Sequence, residues 1–176
     1  GRLYFTKGAF AKQSYDLPGR PGWTTRASHL FRARLDGTDL EPVLTGGMDN
    51  PVDVAFRSDG EPLLSATFLQ RPAAGRRDGV VHAVYGGVYG KQHGVLDDHP
   101  RTGELLPVLA HLGPAAACGL HVHSGYGLGA EFRDDAFVCQ FNLRSVIRLR
   151  LERSGATFAA WAEPFLAVDA VDFHPT

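Results

Sequence analysis

Apolar and polar positions alternate along three short segments that superimpose on one another: LFRARL (Leu30–Leu35), VVHAVY (Val80–Tyr85) and VIRLRL (Val146–Leu151). A period of two places successive side chains on opposite faces, the signature of a half-buried strand. Each segment runs into a turn dipeptide or a near relative of one, namely Asp36-Gly37, Gly86-Gly87 and, after two more residues, Ser154-Gly155. Glycine supplies the positive φ that tight hairpins need. A second strand is predicted upstream of each, at Arg2–Thr6, Pro62–Thr67 and Ala136–Phe141. Two of these follow Asp59-Gly60 and Asp134-Asp135, which in turn follow the strand patterns Val52–Phe56 and Gly119–His123. A fourth apolar stretch comes after each anchor, at Leu40–Leu44, Leu105–Ala110 and Thr157–Trp161.

The unit is therefore strand, turn, strand, loop, strand, turn, strand. Its anchors begin at Leu30, Val80 and Val146, so it recurs at intervals of 50 and 66 residues. Short antiparallel strands in a repeated four-strand unit predict an all-β chain and, by radial repetition, a β-propeller. A β-sandwich is the alternative, since regularly spaced strands suit both, but a sandwich gives no reason to repeat the unit. The blades are expected at residues 1–46 (partial), 47–113 and 114–173, with 174–176 opening the next. About three blades cannot close a ring that needs about four to eight, so the chain reads as a fragment of a probable six-bladed or larger propeller. Two Gly-, Pro- and charge-rich stretches, Gln70–Gly79 and Tyr85–Gly103, are expected to be loops.

Composition adds limits. With 21 Gly, 11 Pro and one Met, turns should be many and helix scarce. A net charge of −1 gives no basic excess to favour nucleic acid, and no apolar run is long enough to span a bilayer. The two cysteines, Cys118 and Cys139, are too few for a disulfide scaffold and are expected to be small buried residues rather than a bridge.

The stretch HLFRARLDGTDLEPVLTGGMDNPVDVAFRSDGEPLLSAT resembles the propeller pattern of glucose/sorbosone dehydrogenases, in which Gly-x-x-Asn-Pro opens a blade. EFRDDAFVCQFNLRSVIRLRLERSGATF, followed by DFHPT, resembles the "putative membrane-bound dehydrogenase" domain of planctomycete and verrucomicrobial type, itself similar to sugar dehydrogenases that use pyrroloquinoline quinone (PQQ). The resemblance implies an exported quinoprotein-like oxidoreductase of the periplasm or extracellular space. It would oxidise a sugar or polyol and pass electrons to PQQ held by calcium, and onward to a haem domain elsewhere in the parent chain. Asn50 and Pro51 match the blade-opening phrase, whereas Asp49 stands where relatives often carry an Arg. The same scaffold would also serve as a non-catalytic platform that binds carbohydrate or a protein partner.

His121-Val122-His123 is the sharpest local feature. Two imidazoles at i and i+2 of a strand project together; the pair could bind a divalent metal, with further ligands from other blades, or one could act as a general base, so His121 and His123 are the candidate catalytic residues. Propeller geometry gathers the loops entering first strands at one mouth. Asn50, Asp53, His174, Asn142 and Arg144 could meet there, offering directed donors to an anionic quinone or a sugar. Of these, Asn50, Asn142, Arg144 and His174 are the candidate cofactor-binding residues. The run Gln92–His99 lacks the spaced ligand ladder of a calcium loop and is read as a solvated loop. Arg71, Arg76 and Arg77 are likewise read as an exposed basic loop rather than a phosphate site. The sequence carries no nucleophile elbow, zinc-protease helix, phosphate loop, dinucleotide fingerprint or haem-attachment motif.

Overall fold

The computed structural model describes residues 1–68 and 73–176. Fourteen strands form among them: β1 (Arg2–Lys7), β2 (Gln13–Leu17), β3 (Arg20–Thr25), β4 (Ser28–Arg34), β5 (Glu41–Gly47), β6 (Asn50–Phe56), β7 (Pro62–Thr67), β8 (Asp78–His82), β9 (Gly87–Gly90), β10 (Ala110–Gly113), β11 (Ala117–Val122), β12 (Ala136–Gln140), β13 (Ser145–Ser154) and β14 (Thr157–Ala167). One α-helical turn, Ala73–Arg76, and three short 3₁₀ turns complete the described residues. The chain is all-β, as the alternating pattern requires. Three four-stranded sheets have the orders β1-β4-β5-β9, β10-β8-β7-β6 and β11-β12-β13-β14, and β2 with β3 makes a separate hairpin. Among the described residues the sheets do not close into a ring.

The predicted turn glycines fall where positive φ is needed. Gly37, Gly60 and Gly155 have φ of 84°, 87° and 59° at the β4–β5, β6–β7 and β13–β14 hairpins. The expected hairpin at Gly86-Gly87 is different. It does not return the chain along β8 but sends it to the first sheet, where β9 pairs parallel to β5. Glycine permits that close approach, because a Cβ on Gly47 would run into the backbone of Lys91, the residue after β9. The expected fourth strand Leu105–Ala110 is also corrected, to Ala110–Gly113. Pro107 has no N–H for a ladder, and Leu105–Leu109 instead crosses between sheets, with Leu106 N–H bonding Val88 O (2.8 Å) and Leu109 N–H bonding Val80 O (3.0 Å). The β2–β3 hairpin inside Gly8–Ala27 is an addition to the predicted strands.

Alternation divides the middle sheet between two cores. Leu63 and Val80 point to one side, with Leu120, Val138 and Leu149 of the third sheet. Leu64 and Val81 point to the other, with Leu30, Leu44 and Met48 of the first. Both faces of these two strands are therefore covered, and every residue in them except Pro62 and Thr67 is buried. Strand β4 is doubly covered as well. Its Leu30 enters the core shared with the middle sheet, while Phe31 lies under the added hairpin, 4.8 Å from Tyr15 and 5.4 Å from Phe5 between ring centroids.

Strand β6 packs beside both β1 and β11, so the first described strands of the three sheets are successive neighbours. Strands β6 and β11 share an irregularity. The register shifts between Pro51 and Val54 in one and between Ala117 and Leu120 in the other, which makes Val52-Asp53 and Cys118-Gly119 equivalent bulged pairs. Asp53 uses its bulge to tie the sheets together. One carboxylate oxygen accepts Val54 N–H (2.9 Å) and the other accepts Leu120 N–H (2.9 Å). Ser65 adds a hydroxyl donated to Cys118 O at 2.8 Å.

Candidate functional site

His121 follows this bulge on β11, facing away from the core that takes Leu120 and Val122 on either side. Its side chain is exposed and makes no hydrogen bond among the described residues. A cleft of about 250 Å³ opens beside it, lined by Asp53, Gly119, Leu120, Phe137, Cys139 and Thr176. His123 does not join it there. It lies beyond the end of β11, where its backbone N–H bonds Asp135 O and its carbonyl accepts Asp134 N–H, and its Nε2 is buried without a partner among the described residues. The i, i+2 rule holds only while the strand lasts, and β11 ends at Val122.

The four remaining candidates separate into two places. Asn142, Arg144 and His174 gather at the β12–β13 turn. Arg144 ends that turn in the left-handed region (φ 52°) and donates to Asp169 O at 3.2 Å. Asn142 N–H bonds Ala115 O at 3.0 Å, while its side-chain amide reaches Pro114 O at 3.5 Å. His174 stacks on Phe141, with centroids 4.4 Å apart and planes 19° from parallel, and its Nδ1 sits 3.0 Å from Phe141 O. All three are thus occupied with backbone carbonyls or a ring: Arg144 and His174 bind the 168–176 tail to the third sheet, and Asn142 holds the 114–115 segment. Asn50 begins β6 elsewhere, close to Gly8. Its neighbour Asp49 is buried and accepts both contacts of the Lys91 ammonium, at 3.0 and 3.1 Å.

Cys118 and Cys139 are free, each half-buried. The Cys118 thiol donates to Pro175 O (3.2 Å), and burial raises the Cys139 thiol above its usual pKa. Within Gln92–His99, His93 accepts Val95 N–H, and Val95 and Leu96 are buried beside Ala27. Arg71 lies outside the described residues. Arg76 ends the short helical turn, and the Arg77 guanidinium lies 3.9 Å from Asp78.

Sequence pattern offers no sign of a buried polar chain under the β2–β3 hairpin. The Nε2 atoms of His29 and His99 converge on one hydroxyl, Thr25 Oγ1, at 2.7 and 2.9 Å. The partners decide the protons. His29 Nδ1 faces the Leu44 carbonyl (3.3 Å), which can only accept, so Nδ1 carries the hydrogen and Nε2 receives the Thr25 hydroxyl. Thr25 Oγ1 then accepts Ala27 N–H (3.0 Å) and the His99 Nε2–H. His29 is fully buried, and burial, with the charges of His99 and Lys7, lowers its pKa to about 3. It is therefore a neutral imidazole. Lys7 nearby is 7% exposed, donates to the carbonyls of Gly8 and Ala27 at 2.8 and 2.9 Å, and burial lowers its pKa.

No family model matches the sequence, and no curated protein matches it. Solved structures do. The "putative oxidoreductase (glucose dehydrogenase)" from Thermus thermophilus superimposes with a TM-score of 0.59 at 21% identity, over 95% of this chain and 49% of its own. That likeness fixes the fold. A second structure, named glucose dehydrogenase, aligns over 94% of this chain and 68% of its own, at 14% identity and a TM-score of 0.40. The chain spans about half the length of the Thermus structure.

The lining of the His121 cleft does not fit PQQ and its calcium. A quinone carrying carboxylates needs cationic donors, and no Arg or Lys lines the His121 cleft. Calcium needs several oxygen ligands. Both oxygens of Asp53, the one acidic side chain lining the cleft, already accept backbone N–H groups, and no cluster of three or more His, Cys, Asp or Glu suited to a metal occurs among the described residues.

Proposed function

We propose that this chain is part of an exported, propeller-type oxidoreductase that oxidises a sugar or polyol, with His121 as the base. The observation that carries the proposal is His121 itself: an exposed imidazole with no hydrogen bond among the described residues, projecting beside a cleft on the bulged strand β11. The fold shared with a structure named as an oxidoreductase supports it. Oxidising an alcohol to a carbonyl removes a proton from oxygen and a hydride from carbon. His121 accounts for the proton, since a neutral imidazole within hydrogen-bond reach of the hydroxyl takes it as the C–H bond breaks. The hydride requires an acceptor. PQQ with calcium is the acceptor that the family resemblance proposes, a haem domain its electron outlet, and the periplasm its compartment. Groups other than those lining this cleft would have to hold the quinone.

Reconstitution of the full-length protein with PQQ and calcium, followed by dye reduction across aldoses and polyols, tests the proposal. Dye reduction is expected with at least one sugar. His121→Ala should lower kcat by about 10²–10⁴, the usual contribution of a general base, while leaving the circular dichroism unchanged. No reduction with any sugar, or full activity in His121→Ala, would remove His121 from the chemistry.

A further inference from the structure

The end of the sheets that carries the β6–β7 and β13–β14 turns holds a second concave surface, which shares no residue with the His121 cleft. It consists of two clefts that share Val84 and Tyr85. The first, about 340 Å³, is walled by Tyr4, Arg32, Phe56, Glu61, His82 and Tyr85. The second, about 450 Å³, continues on the far side of Val84 and Tyr85, toward Arg101, Thr102 and Glu104. Tyr85 is the partition between them.

Tyr85 is 61% exposed, yet it is held. Its hydroxyl donates to Glu41 at 2.8 Å, and the Arg32 guanidinium lies 5.1 Å from its ring centroid. Arg32 is fixed in turn by Glu41 at 2.6 Å. An exposed aromatic ring with so little freedom to lose is preorganised for contact. The walls of the first cleft are equally set. Phe56 is 39% exposed and packs edge-on against Tyr4 with centroids 4.8 Å apart. Glu61 is held by His82 (2.9 Å) and Arg153 (3.3 Å), and these contacts, His82 first, lower its pKa and keep it ionised.

The charges of the lining cancel: Arg32 and Arg101 against Glu61 and Glu104. A polyanion or polycation gains no net attraction from such a surface. What does match is a ligand with apolar C–H faces to lay on aromatic rings and many hydroxyls to bond planar carboxylate and guanidinium groups. We propose that this groove binds a neutral oligosaccharide, which straddles Tyr85 with sugar units on either side. The assignment stands apart from the role of His121.

Saturation-transfer NMR with cellotetraose and maltotetraose, on the intact protein, tests it. Transfer to the protons of at least one tetrasaccharide is expected. Tyr85→Ala, at an exposed position where the fold should persist, should weaken binding at least tenfold. Tyr85→Phe keeps the ring but frees it from Glu41, and should weaken binding by a smaller factor. Circular dichroism of both variants checks that they are folded. Transfer to neither sugar overturns the proposal, as does binding of a mixed-sequence decapeptide in place of both. Binding that survives Tyr85→Ala but is lost in His121→Ala also overturns it, because the sugar would then sit in the other cleft.

Discussion

At the scale of single residues, His29 carries the clearest consequence for stability. Its pKa is depressed to about 3 in the folded state by burial, against about 6.5 for a histidine in an unfolded chain. The sign follows directly. Below pH 6.5 the unfolded chain takes up a proton that the folded one refuses, so the contribution of His29 is complete above that pH. It is lost as the pH falls toward 3, at up to about 1.4 kcal/mol per pH unit. Urea unfolding at pH 7, 5.5 and 4.5 should show stability decreasing stepwise. His29→Asn, which cannot titrate, should flatten that dependence even if it lowers stability at pH 7 through the Thr25 and Leu44 contacts. An unchanged slope in the variant would show that other groups govern the acid limb.

At the scale of elements, sequence pattern is informative where burial is one-sided or turns are tight, and poor where pairing is non-local. The period of two located β1, β4, β6, β7, β8, β11, β12 and β13 to within a few residues, and the Asp-Gly and Ser-Gly turns located their hairpins. The β2–β3 hairpin was missed although Pro18-Gly19 marks its turn and Tyr15 and Trp23 flank it, since only docking onto Phe31 gives those aromatics a face to bury. Strand β9 had no local signature, because its pairing with β5 depends on glycines far apart in the chain. The candidate site divides the same way. His121 was legible from its spacing, whereas Tyr85, Glu61, Arg32 and His82 become neighbours only when sheets stack. Gly119 illustrates a close approach that pattern cannot reveal. A Cβ there would meet the Thr176 carbonyl carbon at 2.7 Å, so Gly119→Ala should displace the 174–176 tail while the sheets persist. The His174 ring resonances, shifted by stacking on Phe141, should move toward solvent values. Unmoved resonances would mean that the tail accommodates the methyl group.

At the scale of the whole molecule, the middle sheet decides whether the three sheets behave as one body. Adjacent residues of β7 serve different cores, Leu63 toward the third sheet and Leu64 toward the first, and both are fully buried. Polar ties reinforce both interfaces: toward the first sheet the Tyr89 hydroxyl donates to the His82 carbonyl, and toward the third the ties are several. His82 reaches Thr157 at 3.0 Å, Arg153 reaches Asp59 at 3.1 Å, Ser58 reaches Asp134 at 2.7 Å, and the buried Asp78 accepts Ala116 N–H at 2.7 Å. A sheet committed to both neighbours should transmit any loss of packing in either direction. The two tryptophans are placed to report this, Trp23 against the first sheet and Trp161 on the outer strand of the third. In single-tryptophan variants the two fluorescence transitions in urea should share one midpoint. Leu63→Ala and Leu64→Ala should each cost about 2–5 kcal/mol, as buried Leu→Ala changes do, and each should move both transitions together. If Leu63→Ala shifted only the Trp161 transition and Leu64→Ala only that of Trp23, the sheets would be separate folding units, and the shared middle strand would couple them too weakly to matter.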